Sequence, residues 1–234
     1  MRLVLPSIST LTGTFYALVL LFPHGANALW PQPRSLQTGS TALRLRPSSF
    51  TINPAEIPDA PSDLLEAVHR THAHLASDKL ARLDVSRGAA DVPVVSRADA
   101  TLPGLRLRLL RLDGDDGPPG AASVRTSSIA EEARAPLGLR DEGYNLSVPV
   151  DGSEAVLSAA SALGLFRGLN AFAQLWYYYD HDRGGAAGRG SGDGGDYDGG
   201  GPMVYMLAAP VMIEDWPAYV RRRGIWNTEM AADF

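Results

Sequence analysis

Apolar and polar residues alternate with a period of two in four segments, and each segment predicts a β-strand with one buried and one solvated face. The segments are residues 41–52, 105–112, 144–150 and 154–160. In the second of them, LRLRLLRL, Arg106 and Arg108 occupy the solvated side. A turn sequence at residues 151–153 joins the last two strands. Because such strands bury only one face, they predict an α+β fold with a mostly antiparallel sheet and helices on one face.

Residues 62–83 change to a helical period. Ser62 follows a proline and is a good N-cap, so an amphipathic helix is predicted to begin there. Its apolar stripe is formed by Leu65, Val68, His72, Leu75 and Lys79.

A second helix is predicted over residues 163–178, LGLFRGLNAFAQLWYY. The buried stripe consists of Leu165, Leu169, Phe172 and Trp176, and the opposite face carries Arg167, Asn170 and Gln174. Polar residues on one face exclude a membrane span. Burial of the aromatic residues disfavours a platform for stacking nucleic-acid bases, so this segment is interpreted as a core helix.

Two segments near the end of the chain differ sharply in composition. Residues 181–202 are rich in glycine and aspartate and predict a solvated, disordered insertion. Residues 204–219 are apolar and predict a strand that ends at a turn near Trp216 and Pro217.

The first 28 residues have the pattern of a secretory signal peptide. Arg2 supplies a weak positive region, residues 15–22 form a short apolar region, and Ala26-Asn27-Ala28 is a cleavage sequence that ends at Ala28. The apolar region is shorter than the roughly 20 residues that a membrane-spanning helix needs. We therefore expect secretion, to the extracellular space or to a vacuolar or lysosomal lumen, with a retained N-terminal anchor as the alternative.

The composition of the chain limits which partners and which stabilising bonds can be expected. The chain of 234 residues has a formal net charge of −5, which argues against a nucleic-acid partner. It contains no cysteine, so the core must stabilise the fold without disulfides. Asn145-Leu146-Ser147 is an N-glycosylation sequon, which makes Asn145 a predicted glycan site in a secreted protein.

Two motifs suggest cofactor or metal binding, but neither has the context that such a site requires. Residues 190–195 fit the G-x-G-x-x-G string, but they lie inside the glycine-rich tract instead of between a strand and a helix. The nearby aspartates at 193, 196 and 198 match no calcium loop well. We predict no cofactor.

Three histidines, His69, His72 and His74, cluster on the first helix. His69 and His72 are three residues apart and could share a metal, but the glutamate of a His-Glu-x-x-His site is missing. The sequence therefore predicts no metal site and a half-buried, hydrogen-bonded His72.

Asp141 and Glu142 are adjacent carboxylates at the start of a strand. Adjacent strand residues point to opposite faces, so the two cannot flank one bond as the acids of an ordinary glycosidase do. We interpret them as turn and strand-start residues and predict no catalytic residue.

Three segments together resemble the non-catalytic N-terminal domain of eukaryotic, especially fungal, β-N-acetylhexosaminidases of glycoside hydrolase family 20. They are ALWPQPRSLQTGS near the start, residues 139–178, and residues 209–224. The middle segment is the most specific, and residues 184–201 have no match. The resemblance implies a zincin-like α+β domain over residues 29–219, followed by a stub of a barrel over residues 220–234.

The resemblance also implies what the chain lacks. Family members remove terminal N-acetylhexosamine residues in a (β/α)₈ barrel, where an Asp orients the substrate's acetamido group and the neighbouring Glu is the general acid. That barrel needs about 250 residues, so the catalytic pair is expected to be absent. Arg223-Gly224 is the best match to the family's sugar-binding arginine, which makes Arg223 a candidate substrate-binding residue.

We therefore expect a truncated β-N-acetylhexosaminidase that carries only the supporting domain, is inactive alone, and meets its substrate only through a downstream catalytic barrel. A free-standing secreted module that binds glycans or proteins is the alternative. A zinc peptidase-like domain is a third possibility, against which the missing His-Glu-x-x-His string counts.

Overall fold

The computed structural model describes residues 29–110, 126–180 and 202–217. Within them, one mixed sheet has the strand order β2-β4-β6-β5-β8-β1-β3, and β7 also pairs with β8. The strands are β1 (Ser35–Leu45), β2 (Thr51–Asn53), β3 (Thr101–Leu102), β4 (Gly104–Leu109), β5 (Tyr144–Val148), β6 (Ala155–Ala159), β7 (Tyr177–Tyr179) and β8 (Met203–Asp215). The helices are α1 (Ser62–Ser77), α2 (Val92–Val95), α3 (Ile129–Ala133) and α4 (Ala162–Gln174), with 3₁₀ turns at Ala89–Asp91 and Leu137–Leu139.

The longest strands pair in antiparallel fashion. β8 runs beside β1 from Ser35 opposite Glu214 to Leu45 opposite Val204, and its other side pairs with β5 and β7. β5 and β6 form the predicted antiparallel pair. The pairs β2–β4, β4–β6 and β1–β3 are parallel. The predicted α+β class is confirmed, with a sheet that mixes both orientations.

The main core lies between one face of the sheet and helices α1 and α4, with α3 at its margin. All four residues of the stripe predicted for the second helix are buried: Leu165, Leu169, Phe172 and Trp176. Two glycines allow α4 to approach the sheet closely, since a Cβ on Gly164 would meet the Gly143 carbonyl and one on Gly168 would meet the side chain of Leu157.

The N-terminus of α4 is capped from two directions. Ser161 Oγ accepts from the N–H of Gly164 at 2.8 Å, the usual N-cap contact. Glu132 of α3 accepts from the N–H of Leu163 at 2.6 Å and more weakly from that of Ala162 at 3.4 Å. Burial raises the pKa of Glu132, since removing a carboxylate from water disfavours its charged form.

A smaller cluster lies on the opposite face, where α2 packs Val95 against Ala42 and Tyr205. Beneath it, the buried Asp91 accepts from Tyr205 Oη at 2.8 Å and from Arg82 Nη1 at 2.6 Å. The prediction of helices on one face therefore holds for α1, α3 and α4, and the four-residue helix α2 is an addition that the sequence did not indicate.

Several predicted boundaries were wrong. The segment 41–52 is two strands, because β1 ends at Leu45 and β2 begins at Thr51 to pair with β4. The first helix ends at Ser77, well before residue 83, because Asp78 has an extended backbone. The second helix ends at Gln174, and Tyr177–Tyr179 forms strand β7. By contrast, the last strand ends at Asp215, immediately before the predicted turn at Trp216 and Pro217.

The face predicted for the first helix was also shifted by about one residue. Leu65 was placed on the buried stripe, yet it is 44% exposed, whereas Leu64 is fully buried. Thr71 is buried in place of His72, and its hydroxyl donates to the Ala67 carbonyl at 2.8 Å. This bond allows a polar residue to face the core, so the true stripe contains a residue that hydropathy alone counts as polar.

Candidate functional site

Asp141 and Glu142 lie just before β5 and make contacts within the fold. Glu142 forms an ion pair with Arg167 of α4, with Oε2 and Nη2 at 2.9 Å. Asp141 Oδ1 accepts from the N–H of Gly143 at 3.1 Å, and the Asp141 carbonyl accepts from Ser161 Oγ. The two residues therefore connect the start of β5 to both the N-terminus and the middle of α4.

His72 is half-buried and hydrogen-bonded, as predicted. Its Nε2 lies 3.0 Å from the Phe50 carbonyl, and its ring stacks on that of Phe50 with centroids 6.4 Å apart. His69 and His74 are exposed on the same helix. In the ranges that the structure describes, no three or more His, Cys, Asp or Glu residues are grouped so as to hold a metal ion.

Asn145 lies in the middle of β5, paired with Ser158 of β6 and Glu214 of β8. Its neighbours Tyr144 and Leu146 are buried against the helices. By strand alternation Asn145 faces the open side of the sheet, where it is partly exposed. Glycosylation of Asn145 stays a prediction.

The remaining predicted features lie outside the described residues. These are the signal segment with its cleavage site at Ala28, the Gly/Asp-rich stretch from 181 to 201, and Arg223. For the part of the chain that is described, no helix has the combination of length and apolar character that crossing a membrane requires.

A groove of about 570 Å³ lies between α4, the end of α1, β7 and the first described residues. That volume is typical of ligand pockets, which measure roughly 300–1,000 Å³. Its walls include apolar and aromatic side chains, namely Leu75, Leu80, Trp176, Tyr177 and Tyr178. Its polar lining is formed by His74, Asp78, Arg167, Asn170, Gln174 and Asp215.

One wall of the groove is formed by the segment from Leu29 to Arg34, just before β1, which we call the N-terminal strap. Gln174 of α4 fixes the strap by accepting from the N–H of Trp30 at 2.7 Å and donating to the Trp30 carbonyl at 3.0 Å. The Trp30 side chain itself is 83% exposed. The strap therefore presents a large aromatic residue at the edge of the groove.

The other end of the strap is fixed to the end of β8. The N–H of Arg34 donates to Asp215 Oδ1 at 3.2 Å, and Arg34 Nε donates to the Trp216 carbonyl at 2.9 Å. The guanidinium also lies over the Trp216 ring, 5.3 Å from its centroid, in a cation–π contact. The described chain thus leaves β8 directly beside the groove.

Burial determines the electrostatics of the groove. It raises the pKa of Asp215, partly offset by the hydrogen bond from Arg34, and it raises the pKa of the Tyr144 hydroxyl as well. Trp176 is 3% exposed, and its Nε1 has no hydrogen-bond partner among the described residues. The groove therefore combines aromatic surface with carboxyl and hydroxyl groups whose pKa values are raised by burial.

The sequence did not predict this groove. Gln174 and Trp30 are separated by 144 residues, and nothing in either segment indicates their contact. The one feature of the sequence that could have indicated a contact here is the amide of Gln174, which lies on the outer face of a helix rich in aromatic residues.

Comparison with known proteins places these features in a family. Residues 29–175 match the family model described as "beta-acetyl hexosaminidase like". No curated protein matches the chain.

Two solved structures are similar to this chain at a low TM-score. A chitobiase from Flavobacterium johnsoniae is 16% identical with a TM-score of 0.37, over 83% of this chain and 21% of its own. A glycoside hydrolase family 20 β-N-acetylglucosaminidase is 20% identical with a TM-score of 0.34, over 81% of this chain and 22% of its own. The chain thus spans about a fifth of the length of each of these proteins.

Proposed function

The chain belongs to the β-acetyl hexosaminidase-like family, and from this membership we propose that it is the supporting N-terminal domain of a secreted β-N-acetylhexosaminidase. In the intact enzyme, a catalytic domain removes terminal non-reducing N-acetylhexosamine residues. The observation that carries the proposal is the family match over residues 29–175, which covers most of the described helices and strands.

The contacts of Asp141 and Glu142 agree with a structural, non-catalytic role for this domain. The hydrolysis of a glycosidic bond by two protein carboxyls requires both groups to reach the same bond. Glu142 is held by Arg167, and Asp141 is held by the turn that begins β5. Both carboxyls thus make contacts within the fold, and we propose that this domain has no hydrolytic activity by itself.

The partner of the domain in this proposal is the catalytic domain of the same enzyme. The two solved relatives are much longer than this chain, which covers 21% and 22% of them. The sequence pattern of residues 1–28 supports secretion, and Asn145 is partly exposed. Arg223 is the residue of this chain proposed to reach the sugar in the intact enzyme.

An activity assay tests the first part of the proposal. The purified 234-residue chain is incubated with an aryl N-acetyl-β-glucosaminide, and release of the phenol is followed at acid and neutral pH. No turnover above the buffer rate is expected. Turnover at enzyme-like rates would refute inactivity, and the double variant Asp141→Asn, Glu142→Gln would show whether these carboxyls produce it.

The coding DNA beyond the codon for Phe234 tests the second part. If that DNA encodes a barrel with a His-x-Gly-Gly-Asp-Glu string, in frame or frame-shifted, the result supports the proposal that this chain is the non-catalytic domain of a longer enzyme. Intergenic sequence there would favour the second candidate function, a free-standing secreted module that binds a glycan or a protein. The groove beside the N-terminal strap is the observation that favours this candidate.

A further inference from the structure

One part of the groove gathers polar side chains from three elements. Tyr144 of β5 and Asp215 of β8 are opposite each other in the sheet, and both line the groove together with Arg167 of α4. Burial raises the pKa of Asp215, and the nearby charges of Arg34 and Arg167 partly offset the rise. Asn170 also lines the groove and follows Arg167 on the same face of α4, since residues three apart are neighbours on a helix.

Two of these side chains have hydrogen-bonding capacity that the described residues leave unused. Tyr144 is 4% exposed, and its hydroxyl forms no hydrogen bond with them. The atoms that are both unpaired and inaccessible in the described chain are Arg44 Nε, Asp63 Oδ1 and Trp176 Nε1. The Tyr144 hydroxyl is unpaired but is not one of these, so solvent reaches it from the groove. The exposed amide of Asn170 likewise has no partner among the described residues.

The apolar part of the lining is largely aromatic. Trp30, Tyr177 and Tyr178 line the groove, and the indole of Trp30 is 83% exposed. Gln174 holds the backbone of Trp30 in place with two hydrogen bonds. Aromatic side chains of this kind offer an apolar surface that remains in contact with water. The groove thus places a fixed aromatic residue beside unpaired hydrogen-bonding groups.

The charges of the groove favour an uncharged ligand. Arg167 forms an ion pair with Glu142 and also lies near Asp215, so positive and negative groups balance at this part of the lining. An entirely apolar ligand would displace water from the Tyr144 hydroxyl and the Asn170 amide without replacing its hydrogen bonds, which is unfavourable. The ligand therefore needs both apolar surface and groups that donate and accept hydrogen bonds.

We propose that this groove binds a neutral oligosaccharide. A pyranose ring has apolar C–H faces that can pack on Trp30 and a rim of hydroxyls that can pair with Tyr144 and Asn170, since each hydroxyl donates and accepts. The groove follows α4 from Arg167 to Gln174, about 10 Å at 1.5 Å per residue, so it suits a short oligomer. The inference goes beyond the proposed function, because it assigns sugar binding to the domain for which we propose no hydrolysis.

Isothermal titration calorimetry of the purified 234-residue chain tests the proposal. The probes are cellotriose and the trisaccharide of β-1,4-linked N-acetylglucosamine. We expect at least one of them to bind with a Kd near or below ~1 mM, and to be recovered uncleaved by mass spectrometry. No binding of either trisaccharide at about 10 mM, tenfold above that Kd, would overturn the proposal.

Variants show whether binding occurs in the groove. Tyr144→Phe removes one hydroxyl and is expected to raise the Kd about 3–10-fold, the value of one hydrogen bond. Trp30→Ala and Asn170→Ala change exposed side chains and should also raise the Kd while leaving the circular dichroism spectrum unchanged. The matched control is Tyr179→Phe, which alters the smaller cluster on the opposite face and should leave the Kd unchanged.

The exposed positions keep the test decisive if Tyr144→Phe disturbs the fold. An unchanged Kd in both Trp30→Ala and Asn170→Ala would place sugar binding elsewhere and overturn the proposal.

Three other probes distinguish other classes of ligand. They are spermidine, a trisaccharide of uronic acid, and an uncharged peptide of glycine, serine and phenylalanine. Binding of any of them about tenfold more tightly than the neutral sugars would overturn the assignment of the ligand class. Such a result would leave the proposed function standing, because that proposal is tested by turnover and by the downstream DNA.

Discussion

Gly164 is a position at which α4 lies in close contact with the backbone that leads into β5, and Gly164→Ala is expected to destabilise the fold. The added Cβ would overlap the Gly143 carbonyl oxygen and lie 2.9 Å from the Cβ of Ala159. Both contacts are with groups that cannot move aside, because Gly143 leads into the central strand β5 and Ala159 is fully buried. The helix or the sheet must shift instead.

Two opposing terms give the expected size of the effect. Overpacking a well-packed core costs about 1–3 kcal/mol, and the contact with backbone places this site toward the upper end. Alanine in a helix gains up to about 1 kcal/mol over glycine, which offsets part of the loss. A net destabilisation of about 1–2 kcal/mol remains, and with a urea m-value near ~2 kcal/mol/M it lowers the unfolding midpoint by about 0.5–1 M.

Urea unfolding of the purified chain, followed by circular dichroism and tryptophan fluorescence, measures this shift. Gly138→Ala is the matched control, since a Cβ there would meet no atom within 4 Å. The control midpoint is expected to stay at the wild-type value or to rise slightly, because alanine restricts the unfolded chain. An unchanged midpoint for Gly164→Ala, or an equal loss for Gly138→Ala, would refute the reasoning from close approach.

Three further changes test the capping of α4 and the open face of the sheet. Ser161→Ala removes the N-cap acceptor for Gly164 and should cost about 0.5–2 kcal/mol by urea unfolding, whereas Ser161→Thr should cost much less; equal losses would contradict a capping role. The pKa of Glu132 is raised by burial, reinforced by the charges of Asp141 and Asp63, so the folded state binds more protons than the unfolded state. Its contribution to stability is present below the ordinary value of 4.5 and is lost as pH rises through the raised folded pKa. Glu132→Gln should therefore flatten the decline of the urea midpoint from pH 4 to 7, and an unchanged slope would contradict the assignment. In a eukaryotic secretory host, Asn145→Gln should remove one N-glycan by mass spectrometry while Ser158→Ala, on the adjacent strand, retains it; a wild-type chain without the glycan would refute the predicted site.

The helix α4 was predictable because its burial follows one continuous stripe. Leu165, Leu169 and Phe172 recur at helical spacing, and all three are fully buried. The end of the helix was not predictable. Residues 175–178 contain no glycine or proline, and a short apolar run does not distinguish helix from strand. Residues 177–179 form a strand because Tyr177 pairs with Tyr205 of β8, and the local sequence does not reveal such a long-range contact.

The buried face of the first helix was predicted incorrectly because one of its residues carries a hydroxyl group. Thr71 counts as polar along the sequence, so the predicted stripe passed through His72. In the fold, the Thr71 hydroxyl bonds within its own helix, while His72 at the margin bonds to the Phe50 carbonyl. Both polar groups are satisfied, so the face that buries Leu64 is the more favourable one.

Trp176 connects the part of the site that could be predicted to the part that could not. Its place on the stripe correctly predicts burial, and the ring packs edge-on against Phe172 with centroids 5.7 Å apart. Periodicity describes the direction of a side chain but not the partner of its N–H, and an acceptor for a buried indole must come from a distant segment. None of the described residues provides that acceptor. Periodicity therefore accounts for the burial of Trp176, whereas the partner of its N–H depends on contacts that the pattern along one helix does not contain.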